Sequence, residues 1–227
     1  MWNGKMKALT FSYDDGVTQD RHLVEIFNRY GLHGTFNLNS GLLKEGEGWF
    51  DVEWQRRITH VDSSEVKALY RGHEIAVHSK THANLGTVDD IHLHEEIFDD
   101  KAALEALLGY EIVGMAYPYG TVDDRVVAMV RDAGIKYARR TDPSHNFEFP
   151  AEPLLWHHTC HHAVDNLFDH AKAFLDLEPD KPQIFSIWGH SYEFDVRGDW
   201  DRFERFCEMM AGRDDIAYVT NREALHV

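Results

Sequence analysis

The chain has 227 residues, 43% hydrophobic and 12% aromatic, which is enough apolar material for a packed domain and excludes a disordered chain. Its 39 acidic against 23 basic residues leave a formal charge of −16, an unfavourable field for phosphate backbones and anionic membranes, so no nucleic-acid or membrane partner is expected. Two cysteines, Cys160 and Cys207, rule out a disulfide framework and predict free thiols. No apolar run reaches membrane-spanning length, and the first strand begins before a secretory segment would fit, which together predict a cytoplasmic protein.

Residues 7–13 alternate and are rich in β-formers, so they predict a strand, which stops at Asp14-Asp15-Gly16. Asp20 is the expected N-cap of a helix burying Leu23, Ile26, Phe27 and Tyr30, with Gly31 ending it. A strand follows over 34–38. Residues 41–59 read as an irregular excursion whose Trp49, Phe50 and Trp54 either stack on a sugar ring or pin a loop to the core. Asp62 and Glu65 form a capping box for a helix burying Val66, Leu69 and Tyr70. The strand at 74–77 runs into His78-Ser79-Lys80-Thr81-His82. A long amphipathic helix over 89–108 buries Ile97, Leu104, Leu107 and Leu108, and its Glu95, Glu96, Asp99 and Asp100 are expected on the solvated side.

The strand at 112–117 ends in Pro118-Tyr119-Gly120, and Thr121 is the expected cap of a helix carrying Val126, Val127 and Val130. A strand over 135–140 is broken by Asp142-Pro143. A helix near 165–177, a strand over 183–188 delivering Gly189-His190, a helix over 200–210 and a short strand at 216–219 complete the pattern. Alternating strands and helices predict a single α/β domain over 1–227 with a parallel sheet. Polar clusters sit at the C-terminal ends of four strands, where (β/α) barrels build their sites, and the helix count suits a distorted, incomplete (β/α)7-type barrel.

Two adjacent carboxylates in an enclosed site repel unless a cation or proton compensates. His78 and His82, four residues apart, face the same way if the intervening residues begin a helical turn, as a shared divalent metal requires. Taken together, Thr10-Phe11-Ser12-Tyr13-Asp14-Asp15-Gly16, Gly72-His73-Glu74-Ile75 leading into His78-Ser79-Lys80-Thr81-His82, Tyr117-Pro118-Tyr119-Gly120 and Trp188-Gly189-His190 resemble the motifs of the NodB-homology polysaccharide deacetylases, carbohydrate esterase family 4, in that family's order.

The resemblance implies a distorted barrel that removes acetyl groups from N-acetylated sugars. By match of motif, Asp15, His78 and His82 would hold the metal, Asp14 would be the general base and His190 the general acid. Tyr119 would add a backbone N–H to the oxyanion site, and Trp188, where the family often has Leu, would line the acyl pocket. Zn²⁺ is the first expectation, with Co²⁺, Ni²⁺ and Fe²⁺ open on ligand type. Three departures stand out. The family's third-motif Arg is Ala116 here, so Arg139 or Arg140 either supplies that charge or serves the surface. Asp142 is what remains of the fourth motif, and it either orients His190 or opens a turn. The altered motifs leave open O-acetyl esters, a small non-sugar amide such as a cyclic ureide, or a catalytically silent carbohydrate-binding protein. The run Trp156-His157-His158-Thr159-Cys160-His161-His162 is expected near the site mouth, with His161 or His162 touching substrate; a second metal is the less favoured reading.

Overall fold

The computed structural model describes residues 2–227. Its strands are β1 (Lys7–Asp14), β2 (Gly34–Leu38), β3 (Gly48–Asp51), β4 (Arg56–Thr59), β5 (Glu74–Val77), β6 (Gly114–Ala116), β7 (Tyr137–Arg139), β8 (Cys160–His161), β9 (Gln183–Gly189) and β10 (Ile216–Tyr218). The helices are α1 (Asp20–Tyr30), α2 (Ser63–Leu69), α3 (Asp90–His94), α4 (Asp100–Leu108), α5 (Asp124–Asp132), α6 (Leu167–Leu175), α7 (Tyr192–Arg197), α8 (Trp200–Met210) and α9 (Asn221–Leu225).

All residues of β1 are buried, as a parallel strand covered on both faces must be. One of its edges pairs with β9 over 7–13, while the other is divided between β10 at residues 7–9 and β2 at residues 11–14. From there the sheet runs β2–β5–β6–β7 on one side and β9–β8 on the other, every pairing parallel. The sheet curls until its two ends approach. Trp156 bridges to Arg139 beside β7, and four residues later Cys160 joins β9 through β8. The result is one α/β domain, a distorted (β/α)7-like barrel, with all the strand ends that carry polar motifs at one mouth. An aromatic cluster fills the layer between β1 and the helices, with Phe11 and Phe27 at 4.6 Å between ring centroids and Phe203 edge-on to Phe11 at 6.1 Å.

Several local expectations change in the folded chain. Residues 41–59 contain the β3–β4 hairpin, whose turn has none of the Asn-Gly or Asp-Gly signals that mark hairpins in sequence. Asp123, not Thr121, caps α5, its carboxylate accepting from the Val126 N–H at 2.8 Å. Gln19 is the cap position of α1, and Asp20 is its first residue. The long helix over 89–108 is interrupted by a π turn, Glu95–Asp99, between α3 and α4. That wider turn carries Glu96 and Asp100 inward, so half of the acidic run is buried rather than solvated.

Asp20 is completely buried, accepting from Tyr70 Oη at 2.7 Å and Ser191 Oγ at 2.6 Å. Burial raises its pKa to about 7, only partly opposed by those hydroxyls. The unfolded chain therefore ionises first as pH rises past about 4, and the stability this group contributes at low pH is lost between about 4 and 7. Asp20→Asn preserves the shape, and each hydroxyl can serve as acceptor to the new amide. The variant is expected to melt higher than the native chain at pH 8 by an amount worth up to about 4 kcal/mol, with the gap closing by pH 4. Thermal denaturation across that range checks it.

Candidate active site

β1 sets out the first two acids. Consecutive strand residues point to opposite faces, but Asp15 takes a left-handed conformation (φ 78°), so its carboxylate turns back to the mouth that Asp14 also lines. Gly16 follows at φ 62°, where a Cβ would lie 2.7 Å from Leu38. The turn is secured by the Asp15 N–H to Asn37 O at 3.0 Å and by the His60 ring to Asp15 O at 2.9 Å.

His78 leaves the end of β5. Its Nδ1 donates to Ala116 O at 2.7 Å, so Nε2 carries the lone pair, 3.7 Å from Asp15 Oδ1. Burial pushes its pKa down to about 4 despite the pull of Asp14. His82 Nε2 lies 3.5 Å from the same Asp15 oxygen. The two rings do not meet by a helical turn: Ser79 and His82 are both left-handed (φ 62° and 58°), and the loop folds back on itself. Its backbone is held by the two acids that the π turn buries. Glu96 accepts from Thr81 N and Oγ1 at 2.8 and 2.6 Å, and Asp100 from the N–H of Ser40 and of His78 at 2.7 and 3.2 Å. The ligand atoms of Asp15, His78 and His82 lie within 4.8 Å of one another. One carboxylate and two imidazole nitrogens gathered at a common point, the His78 ring oriented through its other nitrogen, fit a divalent cation in donor type and number.

Asp14 is buried and takes 2.8 Å from Asn37 Nδ2 on one oxygen and a charged hydrogen bond from Arg139 Nη2 on the other. Burial alone would raise its pKa, but the Arg139 guanidinium, helped by His78 and His190, holds it well below the usual carboxylate range. Arg139 is fully buried at the end of β7, its guanidinium 4.5 Å over the Trp188 ring. In the β6–β7 register it pairs with Ala116, so the charge expected at 116 comes from the neighbouring strand at the same level. Arg140 points elsewhere, to Asp142 at 2.8 Å.

His190 stands at the exit of β9 with Nε2 4.0 Å from both Asp14 and Asp15. The carboxylate facing its Nδ1 is Glu193 at 3.4 Å, not Asp142, which is half exposed and pairs with Arg140 and His157. Burial would lower the His190 pKa, but the Glu193 hydrogen bond and the two aspartates carry it up to about 9. Glu193 was missed in the sequence, although its place three residues after His190 on a helical turn was a usable signal. Its other oxygen meets His161 and His162 at 3.1 and 3.0 Å. His162 is not at the mouth: it is wholly buried, stacked on Phe194 at 4.2 Å and facing Tyr13 at 5.6 Å. His158 is also fully buried, against Trp156.

These groups surround a cavity of about 540 Å³. Trp188 and Tyr117 form part of its wall, while Leu42 and Trp49 come from the 41–59 excursion and Tyr192 from α7. Trp49 meets Tyr192 edge-on at 5.4 Å and Trp54 packs on it at 5.8 Å, so the hairpin is pinned as one wall. Tyr119 sits at the rim in a left-handed turn (φ 58°), 64% exposed, its ring edge-on to His82 at 4.7 Å. Among the described residues, no helix is long and apolar enough to cross a membrane.

A family profile described as polysaccharide deacetylase matches residues 3–138. A gellan lyase from a Bacillus species is 40% identical over 131 residues, which are 56% of this chain and 5% of that protein. Among solved structures, a peptidoglycan N-acetylglucosamine deacetylase superposes with a TM-score of 0.62 at 15% identity, over 100% of this chain and 90% of its own. A family 4 carbohydrate esterase from Streptomyces lividans, in complex with acetate, gives 0.58 at 15% identity, over 94% and 91%. At such identities the likeness is one of fold. The chain spans about half the length of other solved relatives that it matches.

Proposed function

Because the chain belongs to the polysaccharide deacetylase family, we propose that it hydrolyses acetyl groups from N-acetylated sugars, with Asp14 as general base and His190 as general acid. The observation that carries this reading is the pairing of an ionised, doubly held Asp14 with an imidazole 4.0 Å across the same cavity, beside a three-residue metal set. Asp15, His78 and His82 would hold the cation, which supplies Lewis acidity toward water and the substrate carbonyl. Zn²⁺ suits the donors, as do Co²⁺, Ni²⁺ and Fe²⁺.

Asp14 takes a proton from the attacking water as its oxygen bonds to the acetyl carbon. His190 Nε2 then gives its proton to the amide nitrogen as the C–N bond breaks, leaving acetate and a free amine. The Tyr119 N–H is proposed to stabilise the tetrahedral oxyanion, and Trp188 to bound the acyl group. Among the described residues the cavity wall carries no Lys or Arg, and its aromatic faces suit a neutral sugar ring. A second reading, an O-acetyl ester or small non-sugar amide, is favoured by the size of the cavity, about 540 Å³ behind the pinned hairpin, which lies in the small-molecule range.

The test is acetate release from N-acetylglucosamine oligomers and from O-acetylated xylan by native, chelator-stripped and Zn²⁺-restored protein. Release from the oligomers is expected to vanish on stripping and return with Zn²⁺, and the melting temperature to rise on restoration by an amount worth about 2.7 kcal/mol at a hundred-fold excess over Kd. Silence on both substrates with metal bound would favour the small amide. Full activity after stripping would overturn the metal-dependent mechanism.

A further inference from the structure

We infer that Glu193 is the positioning residue of His190, and that His161 and His162 serve to hold that carboxylate rather than a second metal ion. The inference rests on the reading of His190 as the acid. His161, His190 and Glu193 bring their polar atoms within 4.8 Å of one another, which by distance alone would suit a cation. The hydrogen bonding points the other way. His161 Nδ1 accepts from the Ala163 N–H at 3.1 Å, so in the neutral ring the proton lies on Nε2, which stands 3.1 Å from Glu193 Oε2 and has no free lone pair to offer a cation. His162 Nε2 approaches the same oxygen at 3.0 Å, leaving Oε1 to His190 Nδ1. Glu193 thus takes a hydrogen bond from His190 on one oxygen and has the other two imidazoles within ion-pair distance of its second oxygen.

The fold is built to deliver these rings. The two-residue strand β8 ends at His161, whose register partner on β9 is Trp188, and the His162 N–H bonds Trp188 O at 2.8 Å. Gly189 makes room for the second ring: a Cβ there would lie 2.0 Å from His162 Nδ1. Glu193 itself sits in the first turn of α7, 9% exposed, three residues after His190. With its carboxylate behind Nδ1, His190 keeps the tautomer and ring orientation that aim Nε2 at the cavity, and an imidazolium there is stabilised. Asp142, engaged with Arg140 and His157, does not compete for this place.

A leaving amine must be protonated, whereas 4-nitrophenolate leaves without help, so the two substrate types separate the acid from everything else in the site. Glu193→Gln keeps an acceptor for Nδ1 but loses the charge. Its rate on N-acetylglucosamine oligomers is expected to fall about 10- to 100-fold relative to its rate on 4-nitrophenyl acetate, with KM and bound zinc within about twofold of native. Glu193→Asp, which restores the charge at a shorter reach, is expected to recover part of that ratio. Equal losses on both substrates, or no loss, would overturn the assignment. Should Glu193→Gln fail to fold, His161→Gln, at a partly exposed position, is expected to shift the ratio the same way by less, and an unchanged ratio overturns the assignment equally. Native protein that binds zinc yet hydrolyses neither substrate would instead defeat the deacetylase reading beneath it.

Discussion

Asp14→Asn is expected to lower kcat for acetate release by about 10²- to 10⁴-fold, with KM and metal content close to native. The side chain is nearly isosteric and its oxygen can still accept from Arg139, so the cavity keeps its shape, while the uncompensated Arg139 charge lowers stability, which a melting curve of the same samples records. What disappears is the ability to take a proton. The metal set proposed, Asp15, His78 and His82, does not include this residue, so zinc measured per chain should be unaltered. Steady-state kinetics on N-acetylglucosamine oligomers, with metal analysis of the same samples, checks both halves. A protein that only binds carbohydrate would lose little, so an unchanged sugar affinity with no turnover in either form would favour the silent-binder alternative. Loss of zinc together with activity would instead place Asp14 among the ligands.

Arg139→Met is expected to cost about 3–5 kcal/mol of stability as well as most activity, because it strips a buried carboxylate of its cation. Asp14 and Arg139 are both nearly inaccessible to water, and Asn37 alone cannot replace the charge. The folded Asp14 has a depressed pKa, so its stabilising contribution is present above the unfolded carboxylate range and is lost as pH falls through the folded value. The deficit of the variant should therefore be largest near neutral pH and shrink in acid, and the acidic limb of its residual kcat should move upward as Asp14 becomes easier to protonate. Urea denaturation at pH 7 and pH 4, with a pH–rate profile, measures these effects. Arg139→Lys should fall between, since an ammonium supplies charge but neither the planar fork nor the stack on Trp188. Native stability in Arg139→Met would mean that Asp14 is not ionised in the fold.

The stretches most legible in sequence were those in which chemistry and secondary structure coincide. Asp14 and Asp15 close a strand, His78 and His82 follow one, and His190 ends another; the parallel sheet then carries all three strand ends to one mouth. Periodicity likewise gave α8 over the residues expected and the capping box of α2. The hairpin at β3–β4 was illegible because its turn carries no marked residues, and the π turn because helical periodicity does not signal a single widened turn.

By itself the sequence determined the main alternation of strands and helices and put Asp14, Asp15, His78, His82 and His190 at strand ends, since both depend on residue type and periodicity; the ligand and acid–base roles proposed for them rest on the family resemblance. Only the tertiary structure decided what supports them. Arg139 reaches Asp14 because β7 lies beside β6 in a register that pairs it with Ala116. Glu193 replaces Asp142 behind His190, and Glu96 and Asp100 turn from a solvated face into the hydrogen-bonding frame of the histidine loop. Each of these is a contact between elements distant in sequence or a rotation of a helix face. Such partners are chosen by packing, because a buried charge or backbone N–H must be satisfied by whatever group the fold brings within reach.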